Sequence, residues 1–132
     1  MKRIFFLFLT LFIFLFPLKT FSQNCPAYPY IGVWVGRIVA MGIPTPLVIT
    51  FYPKNSSLEG NVSILWAKKN PIKEAKCENI TKIYFVAYGK GGKLTFEGVV
   101  VPIPGALPQY YLSGKWFGGG QKGIFFTQKL GP

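Results

Sequence analysis

The sequence predicts an all-β protein: a small antiparallel up-and-down β-barrel of seven to eight strands behind an N-terminal signal helix, with a β-sandwich as the alternative. Short runs rich in valine, isoleucine and aromatic residues recur between clusters of glycine, proline, asparagine and lysine. After residue 22, no window of 12 residues carries apolar positions at helical spacing. Glycine also recurs inside the predicted strands, which suits a small barrel whose sheet bends sharply.

The first 22 residues have the pattern of a secretory signal. Lys2 and Arg3 precede an apolar run from Ile4 to Phe16, and small residues stand near the expected cleavage position. This run of about 13 apolar residues is shorter than the roughly 20 that a spanning helix needs. We therefore expect cleavage of residues 1–22, with a retained anchor as the alternative. The remaining domain, 23–132, would be a single secreted or periplasmic unit that does not span a membrane.

Seven strands are predicted in the mature chain. They lie near 31–40, 46–53, 57–67, 80–88, 93–101, 109–117 and 122–130. Between the third and fourth, Asn70–Ala75 is expected to form only a helical turn, with Pro71 at its start. Gln23–Tyr30 is expected to run along the barrel as an irregular eighth strand, confined to an edge by its prolines.

Four strands share a repeat in which an apolar residue stands two positions before a glycine. The repeat glycines are Gly36, Gly60, Gly98 and Gly114. Each is expected to mark a bend or a crowded inner wall. Side-chain alternation then predicts an inner set in which all three tryptophans are structural. That set is Trp34, Ile38, Leu47, Ile49, Phe51, Leu58, Val62, Ile64, Trp66, Leu94, Phe96, Val100, Leu112, Trp116, Ile124 and Phe126.

The loops indicate which end of the barrel would bind a partner. With seven strands running up and down, the short polar turns 54–57, 89–92 and 118–121 share one end. The longer, apolar or lysine-rich loops 41–46, 68–79 and 102–109 share the other, and long loops on a rigid scaffold usually carry function. The predicted rim site is Met41, Ile43, Pro44, Lys68, Lys69, Ile103, Leu107, Tyr110 and Tyr111. Alternatively, the proline loops fold inward and plug the barrel.

The two cysteines are expected to form a structural disulfide. Cys25 and Cys77 are even in number, and export would place them in an oxidising compartment. Closing a loop of this length stabilises the fold by roughly 4 kcal/mol in the chain-entropy model. A catalytic thiol is disfavoured because the chain has no histidine to activate it.

Composition excludes most enzyme classes. The chain has no histidine, and its four acidic residues are all glutamates. Serine-histidine-aspartate triads, aspartic dyads, HExxH zinc sites and EF-hand loops are therefore impossible. Glu59 and Glu97 occupy equivalent repeat positions, but alternation points both outward as solvated charges. We expect no catalytic residues, no metal site and no cofactor.

The net charge indicates which classes of binding partner to expect. The full chain carries +11, and loss of the three basic residues in the leader leaves +8. This charge favours an anionic surface, reached through the lysine-rich loop 68–79, with dispersed solubilising lysines as the alternative. Arg37 is the single arginine of the mature chain, which argues against nucleic acid as a partner.

Gly32-Val33-Trp34 at the start of the first strand resembles the lipocalin and avidin superfamily of small barrels. In lipocalins the tryptophan of this G-x-W motif closes one end of the barrel, often under a basic side chain of the last strand. The resemblance implies that Lys129 or Lys122 takes that place. The closing segment 123–130 is similar to the last strand of an avidin-type barrel. The lipocalin T-D-Y motif is missing, and the avidin biotin site does not carry over without aspartate, so the resemblance implies a fold and no ligand.

These observations predict an exported, non-enzymatic binding protein with a lipocalin-like barrel. It would contact a small apolar or amphipathic ligand, or an envelope or extracellular protein, through the loops at one rim. One alternative is a structural or assembly protein of the cell envelope or extracellular surface. Another is an inhibitor of a secreted enzyme that acts through the loop 102–109.

Overall fold

The structure of the chain is a computed structural model that describes the following residues: 25–55, 57–66, 68–79, 81–89, 91–105 and 109–130. The predicted signal peptide and Leu107 lie outside the described residues. In the part of the chain that is described, no helix has both the length and the apolar character needed to cross a membrane.

Eight antiparallel strands form a closed barrel in which each strand pairs with its sequence neighbours and the last strand pairs with the first. The predicted all-β up-and-down barrel is confirmed, and all seven predicted strands are present. The elements are a short helix α1 (Ala27–Tyr30), then β1 (Gly32–Ala40), β2 (Ile43–Lys54), β3 (Ser57–Ile64), β4 (Asn70–Cys77), β5 (Lys82–Gly89), β6 (Gly92–Ile103), β7 (Gln109–Gly118) and β8 (Gln121–Lys129).

The strand that completes the barrel is not the one expected. Asn70–Cys77 was predicted as part of a loop with one helical turn, but it forms β4 and pairs with both β3 and β5. A bulge between Ile72 and Glu74 interrupts its register, and Ile72 is its single fully buried side chain. The prediction of an eighth strand over 23–30 is wrong, because the described part of that segment contains α1. Without β4, the facing edges of β3 and β5 would leave backbone N–H and C=O groups unpaired.

The additional strand changes which loops share an end. The turns after β1, β3, β5 and β7 lie at one end, which we call the mouth. The turns after β2, β4 and β6 lie at the other end, which we call the base, together with α1. The prediction that the loops 41–46, 68–79 and 102–109 share an end is therefore wrong. β4 reverses the direction of every later strand, so the connection after β6 lies at the base.

An aromatic cluster fills the middle of the barrel. Phe85 stacks on Phe96 with ring centres 4.7 Å apart, and Phe51 meets Phe85 edge-on at 5.2 Å. Phe125 meets Phe96 edge-on at 5.3 Å, and all four side chains are buried. Such pairs contribute about 0.5–1.5 kcal/mol each beyond the area they bury. Space for a ligand therefore lies at an end of the barrel or outside it.

Three residues of the predicted inner set face outward, and the others are buried or half-buried. Trp66 is 71% exposed because β3 ends at Ile64 and the turn that follows breaks the alternation. Ile124 and Phe126 are 55% and 48% exposed because Phe125 takes the inward position in β8. The run from Ile124 to Phe126 is apolar at every position, so only pairing with β1 decides which residues face inward.

Three of the four repeat glycines stand where the backbone of a neighbouring strand crowds the barrel wall. A Cβ atom added at Gly36 would overlap the carbonyl oxygen of Phe126 in the neighbouring strand. Gly60 and Gly114 have the same relation to backbone carbonyl oxygens of β2 and β6. These strands can pass each other so closely only because the glycines carry no side chain.

Candidate binding site

The base of the barrel is closed by a buried tryptophan under a lysine. The indole N–H of Trp34 donates a hydrogen bond to the carbonyl oxygen of Tyr30 at 2.9 Å. The Nζ of Lys129 donates to the carbonyl oxygen of Pro29 at 2.8 Å and lies 5.9 Å from the centre of the Trp34 ring. Of the two lysines considered, Lys129 therefore stands over the tryptophan. Gly32 makes room for it, since a Cβ there would lie 2.9 Å from the Lys129 Cε.

Burial at the base shifts the pKa values of two side chains, Tyr30 and Lys129. Burial raises the pKa of Tyr30 to about 12. Burial also lowers the pKa of Lys129 from its usual value, because the ammonium is held away from bulk water. Both side chains are buried, so the base is a packed plug rather than an entrance.

The predicted disulfide is confirmed and lies at the base. Cys25 and Cys77 are bonded, with their Cα atoms 4.9 Å apart. Cys77 is the last residue of β4, and β4 ends at the base, where β1 begins. Cys25, which precedes β1, therefore lies at the same end of the barrel as Cys77. The bond joins the segment before α1 to the strand that completes the sheet, and it indicates an oxidising compartment.

The mouth opens on a pocket of about 360 Å³ above the ring of Trp116. The Trp116 indole N–H donates to the carbonyl oxygen of Val39 at 2.9 Å, which fixes the ring as part of the floor. The volume falls within the usual range of small-molecule sites. The pocket is lined by Ile38, Ala40, Thr45, Ile64, Asn70, Gly89, Gly91, Gly92, Leu94, Trp116, Gly118, Gly119 and Gln121.

Glycine-rich turns keep the mouth open. The turn after β5 contains Gly91, and the turn after β7 contains Gly119 and Gly120. A Cβ at any of these three positions would meet no atom within 4 Å, so no neighbouring side chain covers the rim at these turns. These turns were predicted to lie at the end without function. The glycines in these turns are visible in the sequence, but only the eight-strand topology places the turns beside the pocket.

A second concavity, of about 770 Å³, lies on the outer wall of the barrel. We call it the wall groove. The sequence pattern does not indicate this groove, because it predicts Phe126 and Trp66 to face the interior. Counting the alternation of β8 from an inward Lys129 places Phe126 outside, whereas counting from an inward Lys122 places it inside, so the two candidate lysines left its orientation open. The groove is lined by Val35, Gly36, Arg37, Pro46, Trp66, Val101, Tyr111, Ser113, Phe126, Thr127 and Gln128.

The structure divides the predicted rim site. Exposed residues at the mouth end are Met41, Ile43, Pro44, Lys68 and Lys69. At the base end, Tyr110 packs against the core and Ile103 is half-buried. Tyr111 belongs to the wall groove, and none of the predicted rim residues lines the mouth pocket.

Glu59 and Glu97 lie in surface ion pairs away from both cavities. Glu59 is 3.8 Å from the Lys54 ammonium, and Glu97 is 3.8 Å from that of Lys82. Their predicted outward orientation is confirmed. Within the described ranges, no group of three or more histidine, cysteine, aspartate or glutamate side chains is placed to hold a metal ion.

Comparisons of this chain with protein-family models, with curated proteins and with solved structures found no match. The two cavities are therefore judged by their own geometry. The mouth pocket is recessed into the end of the barrel, whereas the wall groove lies across strands on its outside.

Proposed function

We propose that this chain is an exported, non-enzymatic binding protein that holds a small apolar or amphipathic ligand in the mouth of its barrel. The observation that carries the proposal is the difference between the two ends. The base is plugged by Trp34 and Lys129 and tied by the disulfide, whereas the mouth opens on a pocket of about 360 Å³. The lysine over the G-x-W tryptophan also supports a lipocalin-like barrel.

The lining of the pocket favours a ligand with an apolar body and a polar end. Ile38, Leu94 and Trp116 supply apolar surface, and burying a ligand against such surface contributes roughly 25 cal/mol for each Å² removed from water. The side-chain amides of Asn70 and Gln121 are the polar groups that would orient it.

Export is supported by the leader pattern together with the disulfide. A bond between Cys25 and Cys77 persists where the surroundings are oxidising, which in many cells means outside the cytoplasm. We therefore place the working protein in the periplasm or outside the cell, after removal of residues 1–22.

Filling the pocket with a larger side chain tests the proposal. Ala40 lines the pocket, so Ala40→Phe should lower the affinity for N-phenyl-1-naphthylamine, a neutral apolar fluorophore, at least tenfold. Val86→Phe is the matched control, because it adds the same ring on the outward face of β5. The proposal fails if the wild type does not bind the fluorophore, or if the two variants lose affinity equally.

The closed barrel argues against assembly of this protein through strand edges. Every strand from β1 to β8 has two neighbours, so the described sheet offers no free edge for strand addition. An envelope assembly would have to pack through the outer wall instead. The inhibitor alternative depends on the loop 102–109, which lies at the base and is described only in part.

A further inference from the structure

The outer wall around the wall groove is apolar for a surface that faces solvent. Val101, Tyr111 and Phe126 line the groove with about half of each side chain exposed, and Ile124 continues the apolar surface along β8. Trp66 stands at the rim of the groove and is the most exposed of the three tryptophans. Contiguous apolar surface of this kind marks an interaction site.

The turn after β3 holds its apolar side chains outward at a cost in backbone energy. Leu65 and Trp66 have φ angles of 58° and 59°, in the left-handed region, and both side chains are exposed. Each such residue costs about 1–2 kcal/mol. The Leu65 N–H donates to the carbonyl oxygen of Pro46 at 2.8 Å, which holds the turn against β2. Strain that displays a tryptophan beside a groove is typical of a functional surface.

Arg37 places a positive charge in the middle of this apolar wall. Its partners in the β-ladders are Phe126 of β8 and Pro46 of β2, neither of which carries a charge. Among the described residues, the ion pairs involve Lys54 and Lys82 and do not include Arg37. The guanidinium is therefore available to an anion that comes from outside the chain.

The acidic residues all lie on strands β3 to β6 or directly after β4. They are Glu59 on β3, Glu74 on β4, Glu78 directly after β4, and Glu97 on β6. Strands β7, β8, β1 and β2 contain no acidic residue. Lys115 on β7 stands opposite Glu97 of β6, whereas the exposed Lys122 on β8 stands opposite Phe117. The wall therefore carries an uncompensated positive charge beside its apolar surface.

A second copy of the chain fits this wall poorly. A two-fold symmetric contact would bring the positive charges of Arg37 and Lys122 from both copies into one interface, and β7, β8, β1 and β2 offer no carboxylate to pair them. A protein partner fits poorly as well, because protein interfaces form about one hydrogen bond per 100–200 Å². Of the polar side chains that line the groove, Thr127 is buried inside the barrel, and the Gln128 amide already donates to Gln109.

We propose that this wall docks the protein on an anionic lipid surface. Arg37 pairs with lipid phosphate, while Trp66, Tyr111 and Phe126 enter the boundary between headgroups and acyl chains. Tryptophan and tyrosine favour this boundary because an apolar ring and a polar tip are both satisfied there. The wall is on the side of the barrel and shares no lining residue with the mouth pocket, so this is a separate binding site.

Co-sedimentation with lipid vesicles tests the proposal. The chain starting at Gln23 is used, since the core side chains of the described residues all lie after it. It should bind vesicles of phosphatidylcholine containing phosphatidylglycerol, and salt should weaken the binding. Arg37→Gln should lower the partition coefficient about fivefold, and Trp66→Ser about tenfold. Lys73→Gln and Tyr88→Ser, which remove a charge and an aromatic ring on the opposite wall, should change it less than about twofold.

Several results would overturn the docking surface. They are no binding of the wild type, equal binding to pure phosphatidylcholine, an equal loss in Lys73→Gln and Arg37→Gln, and vesicle binding replaced by self-association of the chain. Saturable binding of monomeric dodecyl phosphate without vesicle binding would also overturn it. Ala40→Phe separates the two proposals, because it should abolish fluorophore binding at the mouth and leave vesicle binding intact.

Discussion

Substitution of Lys129 shows whether packing or charge holds the base of the barrel. The side chain is buried, its stem passes over Gly32, and its ammonium reaches the Pro29 carbonyl oxygen and the face of Trp34. Lys129→Ala removes both the stem and the charge. Lys129→Met removes the charge and keeps an apolar chain of similar length, so the pair separates the two contributions.

The magnitudes favour packing. Lys129→Ala takes about three methylene groups out of a dry contact, at roughly 0.8 kcal/mol each. The charged hydrogen bond to Pro29 contributes about 1.5–3 kcal/mol and the contact with the Trp34 ring about 1 kcal/mol. Burial of the ammonium, which also lowers the pKa of Lys129, offsets most of that attraction. We expect losses of about 3 kcal/mol for Lys129→Ala and about 1 kcal/mol for Lys129→Met.

The assay is urea unfolding followed by tryptophan fluorescence, with the free energy of unfolding extrapolated to water. Lys122→Met is the matched control on the same strand, because Lys122 is exposed, and it should shift stability by less than about 0.5 kcal/mol. If Lys129→Met costs as much as Lys129→Ala, the ammonium rather than the stem stabilises the base, and the reasoning is refuted.

Two further predictions concern the barrel wall and alkaline pH. Gly36→Ala should cost roughly 3 kcal/mol in urea unfolding because its Cβ meets a backbone carbonyl, whereas Gly91→Ala, in open space, should cost under about 0.5 kcal/mol. Equal costs would contradict the crowding. Burial raises the pKa of Tyr30 from 10.0 to about 12, so the folded state keeps a proton that the unfolded chain loses above pH 10. Stability present below pH 10 should therefore fall by roughly 2–3 kcal/mol as pH rises through 12. Tyr30→Phe should remove this loss. The lowered pKa of Lys129 makes stability rise with pH instead, but this effect is the same in both proteins. If stability falls equally steeply with pH in Tyr30→Phe, the loss does not come from Tyr30.

Local patterns were enough for much of the fold. Alternating apolar residues located seven strands, and the repeat glycines located the crowded positions of the wall, because both are properties of a residue and its near neighbours. Two other local features were predicted from the sequence. The structure places Lys129 over the Trp34 of the G-x-W segment, and it joins Cys25 to Cys77 in a disulfide.

The candidate site followed from the tertiary structure. Asn70–Cys77 has one fully buried side chain and several charged ones, so its sequence lacks a strand pattern. It forms β4 because the edges of β3 and β5 both need a hydrogen-bonding partner. That strand reversed the direction of all later strands, which moved the loop 102–109 to the base and brought the glycine turns to the mouth.

The sequence by itself determined the all-β class, the positions of seven strands, the disulfide and the lack of the histidine and aspartate that several kinds of catalytic site require. Only the tertiary structure decided how many strands close the barrel, which loops share an end, and that Phe125 rather than Phe126 faces inward. The physical reason is that strand pairing and closure join residues far apart in the chain, and the addition of a single strand inverts the direction of every strand that follows.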